Sequence, residues 1–132
     1  MPSIKCIVVT PEKTVLETTA SFVVVPLFDG ELGISVNHAP MIGRLGYGEL
    51  RIELEGQIAR FYVDGGFVQV ADNEVTLLTG KAIPAHAVDL AQAQQKLEEA
   101  IAKPSTTDEM DAVRNRLLQQ ARAQVHVAQK AR

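Results

Sequence analysis

Residues 29–40 read DGELGISVNHAP, and they place a turn, a short strand and a second turn in immediate succession. Asp29-Gly30 is a tight-turn dipeptide, because glycine adopts a positive φ without steric cost. Apolar residues then alternate with small or polar ones at the two-residue period of a half-buried strand. The apolar positions are Leu32, Ile34 and Val36. We expect a close approach to the backbone at Gly33, which has no side chain, and an end to the strand before Pro40, which has no N–H for a β ladder.

The chain on both sides of this stretch has the spacing of a β-sandwich, in the form of a flattened antiparallel barrel. Apolar or alternating runs are predicted to be strands, and each ends near Gly, Pro, Asn or Asp. These runs are residues 4–10, 14–20, 22–25, 32–36, 49–55, 58–63, 67–70 and 75–78. We expect Pro26 to stop the third strand, Asp64-Gly65-Gly66 to form a turn, and the glycines of residues 43–48 to form a corner or bulge.

The run 49–55, ELRIELE, indicates which side chains of the sandwich face water. Its apolar residues alternate with charged ones, so the apolar side chains are predicted to point inward and the charged ones outward. We therefore interpret the carboxylates of Glu53 and Glu55 as a solvated surface rather than a catalytic pair.

The composition changes near Ile83-Pro84, beyond which glycine is absent and alanine and glutamine dominate. We therefore expect a β-sandwich domain over residues 1–84 and a second domain over residues 85–132. Asp89 is a good helix N-cap, with Gln92 at the capping-box position. The apolar stripe that follows consists of Leu90, Ala93, Leu97, Ala100 and Ile101.

Pro104-Ser105 interrupts this helix, and Thr106 with Glu109 is predicted to form the capping box of a second one. The stripe of the second helix consists of Met110, Val113, Leu117, Ala121, Val125 and Ala128. Two stripes joined by a short break predict an antiparallel α-helical hairpin. Because buried alanine contributes less than buried leucine, the hairpin is a candidate for movement.

The composition excludes several classes of protein. The 132 residues carry a formal charge of −3, which argues against a nucleic-acid binder that works by bulk charge. The single cysteine, Cys6, permits no intrachain disulfide, lies in an apolar strand and is predicted to be a buried, inert thiol in a reducing compartment. No apolar run approaches the roughly 20 residues of a membrane span, so we expect no direct membrane insertion.

The usual catalytic and metal-binding patterns are missing from the sequence. The three histidines, His38, His86 and His126, are scattered, so a metal site is not expected. The serines lie outside any GxSxG pattern, and the glycines of residues 43–48 do not form a GxxxxGK[ST] phosphate loop. We therefore expect no catalytic residues, and an enzyme with a degenerate cupin-like metal site is the least favoured class.

The last predicted helix has an uneven distribution of charge. After Asp111 it carries five basic residues and no acidic one; they are Arg114, Arg116, Arg122, Lys130 and Arg132. The helix dipole explains basic residues near the C-terminus. Arg116 and Arg122 lie mid-helix, so contact with an acidic partner surface is an equally good interpretation.

The whole chain resembles the epsilon subunit of F-type ATP synthases. The segment 29–52, DGELGISVNHAPMIGRLGYGELRI, is similar to the family's hallmark GELG…NHAP…G…LRI pattern. The segment 8–17, VVTPEKTVLE, and the segment 63–79, VDGGFVQVADNEVTLLT, match the family's strands, and an alanine-rich two-helix tail follows them as it does in the family. The fold predicted from the residues agrees with that of the family.

The resemblance implies a non-catalytic rotor subunit that couples c-ring rotation to ATP synthesis through the gamma subunit. Its location would be peripheral, at the cytoplasmic face of the bacterial inner membrane. By motif match, contacts with the c-ring or gamma are expected in the opening stretch. The residues concerned are Gly30, Glu31, Leu32, His38, Ala39 and Pro40.

The resemblance also gives the helical tail two expected properties. In bacterial relatives the tail can extend along gamma and block ATP hydrolysis, and the basic residues Arg114, Arg116 and Arg122 would then approach the catalytic alpha and beta subunits. Some relatives bind ATP through an (I/L)DxxRA motif, of which this chain keeps Asp89 and Ala93. Gln92 replaces the arginine, and the loss of this cation disfavours ATP binding, so no cofactor is expected.

A competing hypothesis is a free-standing β-sandwich module that binds a ligand or a protein. It would use the glycine-rich residues 43–48 for binding and the helical tail for oligomerisation. Co-purification with a gamma subunit separates the two hypotheses.

Overall fold

The computed structural model describes residues 3–131, so Arg132 of the basic series lies outside the described residues. Eight strands precede two helices in the described chain. The strands are β1 (Ile4–Val9), β2 (Thr14–Ala20), β3 (Phe22–Leu27), β4 (Gly30–Ser35), β5 (Met41–Leu54), β6 (Gln57–Ala71), β7 (Glu74–Leu78) and β8 (Ala82–Pro84). A 3-10 turn at Ala85–Ala87 leads to α1 (Leu90–Ala102) and α2 (Asp108–Lys130).

The strands form one sheet in the order β2-β1-β7-β6-β5-β3-β4, with β8 added beside β6. The β-sandwich prediction is confirmed, and so is the antiparallel helical hairpin that follows it. The barrel, however, is neither closed nor purely antiparallel. β1 and β7 pair in parallel, and β2 and β4 lie at the two ends of the strand order.

β5 and β6 form one long hairpin that bends across both layers of the sandwich. Their pairing runs from Met41 opposite Val70 to Leu54 opposite Gln57. The core-facing positions change phase along β5, since Leu45 and Leu50 are both buried although their sequence numbers differ by five, an odd offset that would place them on opposite faces of a regular strand. The glycines of residues 43–48, predicted at a corner or bulge, lie inside the bending strand β5, whereas the turn predicted at 64–66 is wrong, because these residues lie inside β6.

Gly66 shows why the bend requires glycine. Its φ is +103°, which L side chains rarely adopt, and a Cβ atom would lie 1.9 Å from the carbonyl oxygen of Leu78. The close approach of β7 to β6 therefore leaves no room for any side chain at this position.

Pro26 does not end β3, contrary to the sequence prediction. The strand continues to Leu27, and Pro26 is buried opposite Glu31 of β4. The pairing of β3 with β5 shifts register between Val24 and Leu27. A proline is tolerated at such an irregularity, where its missing N–H removes no ladder hydrogen bond.

The sandwich encloses the main apolar core, and Cys6 lies within it at 0% exposure. Burial raises the pKa of the Cys6 thiol to about 12. The predicted burial of the thiol is confirmed, and the raised pKa agrees with the predicted inertness, because the thiolate is the reactive form.

Each helix begins at a side-chain cap. The Asp89 carboxylate accepts a hydrogen bond from the Gln92 backbone N–H at 3.1 Å, as predicted. The second cap is Thr107, which accepts from the Met110 N–H at 3.1 Å. Thr106 was the wrong choice because α2 begins at Asp108, which places the N-cap one residue later.

The buried stripe of α2 also differs from the prediction. Its buried residues are Leu118, Ala121, Val127 and Ala128. Of the predicted stripe only Ala121 and Ala128 are buried, and Val113 is 44% exposed. The reason is that α2 packs against two neighbours, α1 and the sheet, so its buried surface does not follow a single stripe.

Candidate functional site

The first part of the opening stretch lies on the edge strand β4. The Glu31 side chain is 57% exposed, and its Oε2 atom lies 3.1 Å from Nη1 of Arg51. Gly30 is exposed and Leu32 is half-buried. A Cβ atom on Gly33 would lie 2.6 Å from Cζ of Phe22, so the expected close approach is present, although an aromatic ring makes it.

The second part of the stretch is a tight loop after β4. Asn37 has a φ of +66°, and its backbone N–H donates to Oδ1 of Asn73 at 2.6 Å. This anchors the loop to the turn between β6 and β7. The Nδ1 atom of His38 lies 2.7 Å from the carbonyl oxygen of Ala39. Ala39 and Pro40 are exposed.

The predicted contact residues therefore form two patches rather than one. Residues 30–32 lie at one end of β4 and residues 38–40 lie beyond its other end. Five residue steps of about 3.3 Å separate the ends of this strand by about 17 Å. A partner that touches both patches must lie along the edge of the sheet.

A second exposed surface, which sequence reasoning missed, lies on the outer face of the sheet. Four large apolar side chains are more than half exposed there, and we call them the apolar sheet face. They are Phe28 at 66%, Ile42 at 76%, Phe67 at 57% and Leu78 at 53%. Phe67 pairs with Leu78 in β7 and with Arg44 in β5, and the Arg44 guanidinium lies 5.8 Å from the centroid of the Phe28 ring. Exposed apolar patches of this kind on a single chain mark interaction sites.

The helical hairpin covers a different outer surface of the sandwich, around Tyr62. Tyr62 is fully buried and packs in a second apolar cluster between β6 and α2. The other buried members are Ala85, Val88, Val127 and Ala128. Burial, together with the hydrogen bond that the hydroxyl donates to Asp64 at 2.5 Å, raises the pKa of Tyr62.

Asp64 connects the sheet to α2. It lies inside β6, so its interpretation as a turn residue is wrong. Its Oδ1 atom accepts from the Tyr62 hydroxyl and also from Nε2 of Gln120 in α2 at 3.2 Å. Its backbone N–H donates to Oγ1 of Thr79 at 3.0 Å, so the main chain of Asp64 is fixed by Thr79 while its carboxylate is held by Tyr62 and Gln120.

The three arginines predicted to form a basic face do not lie together. At about 100° per residue, Arg116 and Arg122 lie about 200° and 80° around the helix from Arg114. Arg114 is half-buried and donates from Nη2 to the carbonyl oxygen of Ile101 at 3.1 Å, which ties the end of α1 to α2. Arg116 and Arg122 are exposed.

The chemistry expected at the remaining positions is limited. The Asp89 carboxylate caps α1, so its one observed contact is structural. Residues 3–131 contain no group of three or more His, Cys, Asp or Glu residues that could hold a metal ion. In the same part of the chain, neither helix is long and apolar enough to cross a membrane.

An open cleft of about 460 Å³ lies where the β5–β6 hairpin bends beneath α2. Its lining includes Arg44, Tyr47, Gly65, Gln119 and His126. This is where a free-standing module would bind a ligand through residues 43–48.

Comparison with known proteins gives consistent matches over nearly the whole chain. The family model for the beta-sandwich domain of the ATP synthase delta/epsilon chain matches residues 3–85. The ATP synthase epsilon chain of Rhodopirellula baltica is 48% identical over 96% of this chain and 98% of its own length. That of Desulfitobacterium hafniense is 39% identical over 92% of each chain.

Solved structures share the fold at lower identity. A chain of the Euglena gracilis mitochondrial ATP synthase superimposes with a TM-score of 0.84 at 23% identity, covering 99% of this chain and 81% of that chain. A chain of the central stalk and c-ring structure of the Tetrahymena thermophila mitochondrial ATP synthase has a TM-score of 0.74 at 17% identity, covering 95% of this chain and 96% of that chain. These similarities support the fold alone.

Proposed function

Because the chain belongs to the family of ATP synthase epsilon chains, we propose that it is a non-catalytic rotor subunit of a proton-translocating F-type ATP synthase. In this role it couples rotation of the c-ring to ATP synthesis through the gamma subunit, at the cytoplasmic face of the bacterial inner membrane. Family membership is the observation that carries the proposal, and it disfavours a free-standing binding module. A close-packed sandwich suits the role, because packed interiors transmit load with little deformation.

We assign the gamma contact to the apolar sheet face. Ile42 and Phe67 project from adjacent strands and would serve as anchors in pockets of the partner. The neighbouring Arg44 supplies a cation at the rim of this surface. The four side chains are each more than half exposed while the hairpin is docked, so the docked helices do not cover them.

We assign the c-ring contact to the edge strand β4 and the loop that follows it. Each patch presents one polar side chain, the exposed Glu31 in one and the half-buried His38 in the other. The span of about 17 Å along β4 suits a flat surface such as a ring of loops better than a single pocket.

A reconstitution experiment tests the proposed function. Membranes depleted of their epsilon subunit are supplied with the purified chain, and ATP-driven proton pumping and co-purification with gamma and the c-ring are measured. We expect pumping to be restored and both partners to be retained. A chain that stays a soluble oligomer without gamma would instead support the free-standing module.

We also propose that the hairpin, when released, restrains ATP hydrolysis by the catalytic alpha and beta subunits. Arg116 and Arg122 are the exposed guanidinium groups available for this contact, since Arg114 is engaged within the hairpin. Deleting residues 87–132 should raise hydrolysis by the complex, but the deletion also exposes Tyr62.

A double variant avoids that exposure. Arg116→Ala with Arg122→Ala should raise hydrolysis, whereas Lys96→Ala with Lys103→Ala removes the same charge from exposed positions of the hairpin outside α2 and should not. Equal hydrolysis in the two double variants and the unmodified complex would count against the inhibitory role of these arginines.

A separate prediction is that the hairpin does not bind ATP. We expect titration calorimetry of the chain with ATP to give no binding heat, because Gln92 offers no cation to a phosphate. The variant Gln92→Arg supplies this cation at the motif position and should bind more tightly. Tight binding by the unmodified chain would refute this expectation.

A further inference from the structure

Glu49 is a carboxylate that the alternating pattern places in water but that the fold buries. Its side chain is 5% exposed, and its Oε1 atom lies near three cationic groups. The distances are 2.9 Å to Nη1 of Arg60, 3.5 Å to Nη1 of Arg51 and 3.8 Å to Nζ of Lys130. Among the described residues the Oε2 atom has no hydrogen-bond partner. Glu49 is thus a buried anion whose contacts are concentrated on one oxygen.

Lys130 gives this cluster its connection to the hairpin. It is the last residue of α2, where a cation is favoured by the helix dipole as well as by Glu49. Another polar link between α2 and the sheet, from Gln120 to Asp64, is formed nearly three helical turns earlier. The ion pair with Glu49 therefore adds a polar contact at the end of the helix, beside Val127 and Ala128, which are buried in the cluster around Tyr62.

Arg51 gives the cluster its connection to the sheet edge. Its Nη1 atom lies 3.1 Å from Oε2 of Glu31 and 3.5 Å from Oε1 of Glu49. One guanidinium nitrogen is thus shared between an exposed carboxylate on β4 and a buried one on β5. If either carboxylate is neutralised or engaged elsewhere, Arg51 is free to move towards the other.

We infer that Arg51 and Glu49 form a charge relay between the partner-contact edge of the sheet and the end of the C-terminal helix. A partner that engages Glu31 frees Arg51 to approach Glu49, where it competes with Lys130 and loosens the helix end. The inference rests on the proposed function for the role of Glu31 as a contact. The coupling within the chain operates without any partner and can be measured on the chain alone.

Hydrogen exchange of the full chain tests the relay, because exchange of α2 amides reports opening of the docked helix. Glu31→Gln mimics engagement of Glu31, and Lys130→Gln removes the helix end of the relay. Glu53→Gln is the matched control, since it removes one carboxylate from the same strand as Glu49 and Glu53 has no ion pair among the described residues. The amides of β1 report global unfolding and serve as the internal reference.

We expect Lys130→Gln to accelerate exchange in the second half of α2 by about two- to five-fold, which corresponds to the stabilisation that a partly exposed ion pair gives. Glu31→Gln should accelerate it by about two-fold. In the Lys130→Gln background, Glu31→Gln should add nothing, because the competed ion pair is already absent. β1 exchange should stay unchanged in all variants.

Exchange in α2 that is equal for Glu31→Gln and Glu53→Gln would overturn the relay. So would an effect of Glu31→Gln that persists unchanged without Lys130. The proposed function is tested by a different measurement, and it would be refuted if the chain did not bind gamma and the c-ring. A chain that binds both partners but shows no coupling refutes the relay alone.

Discussion

Replacing Val127 by alanine should loosen the docked hairpin more than the same replacement at Val113. Both residues lie in α2, but Val127 is fully buried against the cluster around Tyr62, whereas Val113 is 44% exposed. The pair therefore isolates the contribution of docking from that of helix formation.

The expected magnitudes follow from the two environments. Removing two buried carbons costs about 0.8 kcal/mol each, and incomplete collapse of the cavity adds up to about 1 kcal/mol. Alanine's higher helix propensity offsets about 0.5 kcal/mol of this. The net loss at Val127 is about 1 to 2 kcal/mol. At Val113 only the buried part of the side chain contributes to stability. The free energy lost on removing it and the gain in helix propensity nearly cancel.

Urea unfolding followed by circular dichroism measures the loss of stability, and hydrogen exchange of α2 locates it. We expect Val127→Ala to accelerate α2 exchange and Val113→Ala to leave it nearly unchanged. Equal losses at the two positions would refute the assignment of the Tyr62 cluster as the docking contact.

Two further predictions concern the bend and the buried tyrosine. Gly66→Ala should lower the free energy of unfolding in urea by at least about 3 kcal/mol, because it combines backbone strain with steric overlap. Gly56 has a φ of +79° and open space around it, so Gly56→Ala should lower it by about 1 kcal/mol. Similar losses in the two variants would refute the steric argument. The folded state raises the pKa of Tyr62 from 10.0, so the unfolded chain loses this proton first; stability from this group is full below about pH 10 and falls as the pH rises above it. The free energy of unfolding at alkaline pH should therefore fall more steeply for the unmodified chain than for Tyr62→Phe. Parallel curves would contradict the prediction. Cys6 contributes similarly in both chains, so its contribution cancels in the comparison.

Local signals in the sequence predicted much of the fold. The alternating runs found the strands, and the cap at Asp89 is confirmed because it depends on residues three positions apart. Apart from the N-cap of α2, which lies one residue later than predicted, the misplaced features depend on distant partners. Pro26 is accommodated by a register shift against β5, and Gly66 is required by β7, and neither contact can be read from neighbouring residues.

The candidate site was predicted less completely for the same reason. The motif located Glu31 and His38, and the strand predicted between them is present as β4, but grouping both residues in one contact set did not show that they lie in separate patches. Glu49 and Asp64 follow patterns typical of solvated residues, and α2 buries or engages them from more than fifty positions further along the chain. The sequence did contain a signal for the apolar sheet face. Phe67 precedes Val68, which is buried, and in a strand whose side chains alternate between the two faces Phe67 must therefore point outward.

The affinity of the purified chain for the purified gamma subunit tests the central claim most directly. Ile42→Ser changes the most exposed residue of the apolar sheet face, at 76% exposure, and Ile58→Ser makes the same change at a 45% exposed position at the far end of the β5–β6 hairpin. We predict that the unmodified chain binds gamma, that Ile42→Ser weakens binding by at least about tenfold, and that Ile58→Ser leaves it within about two-fold. A chain that does not bind gamma, or that loses affinity equally in both variants, would contradict the account.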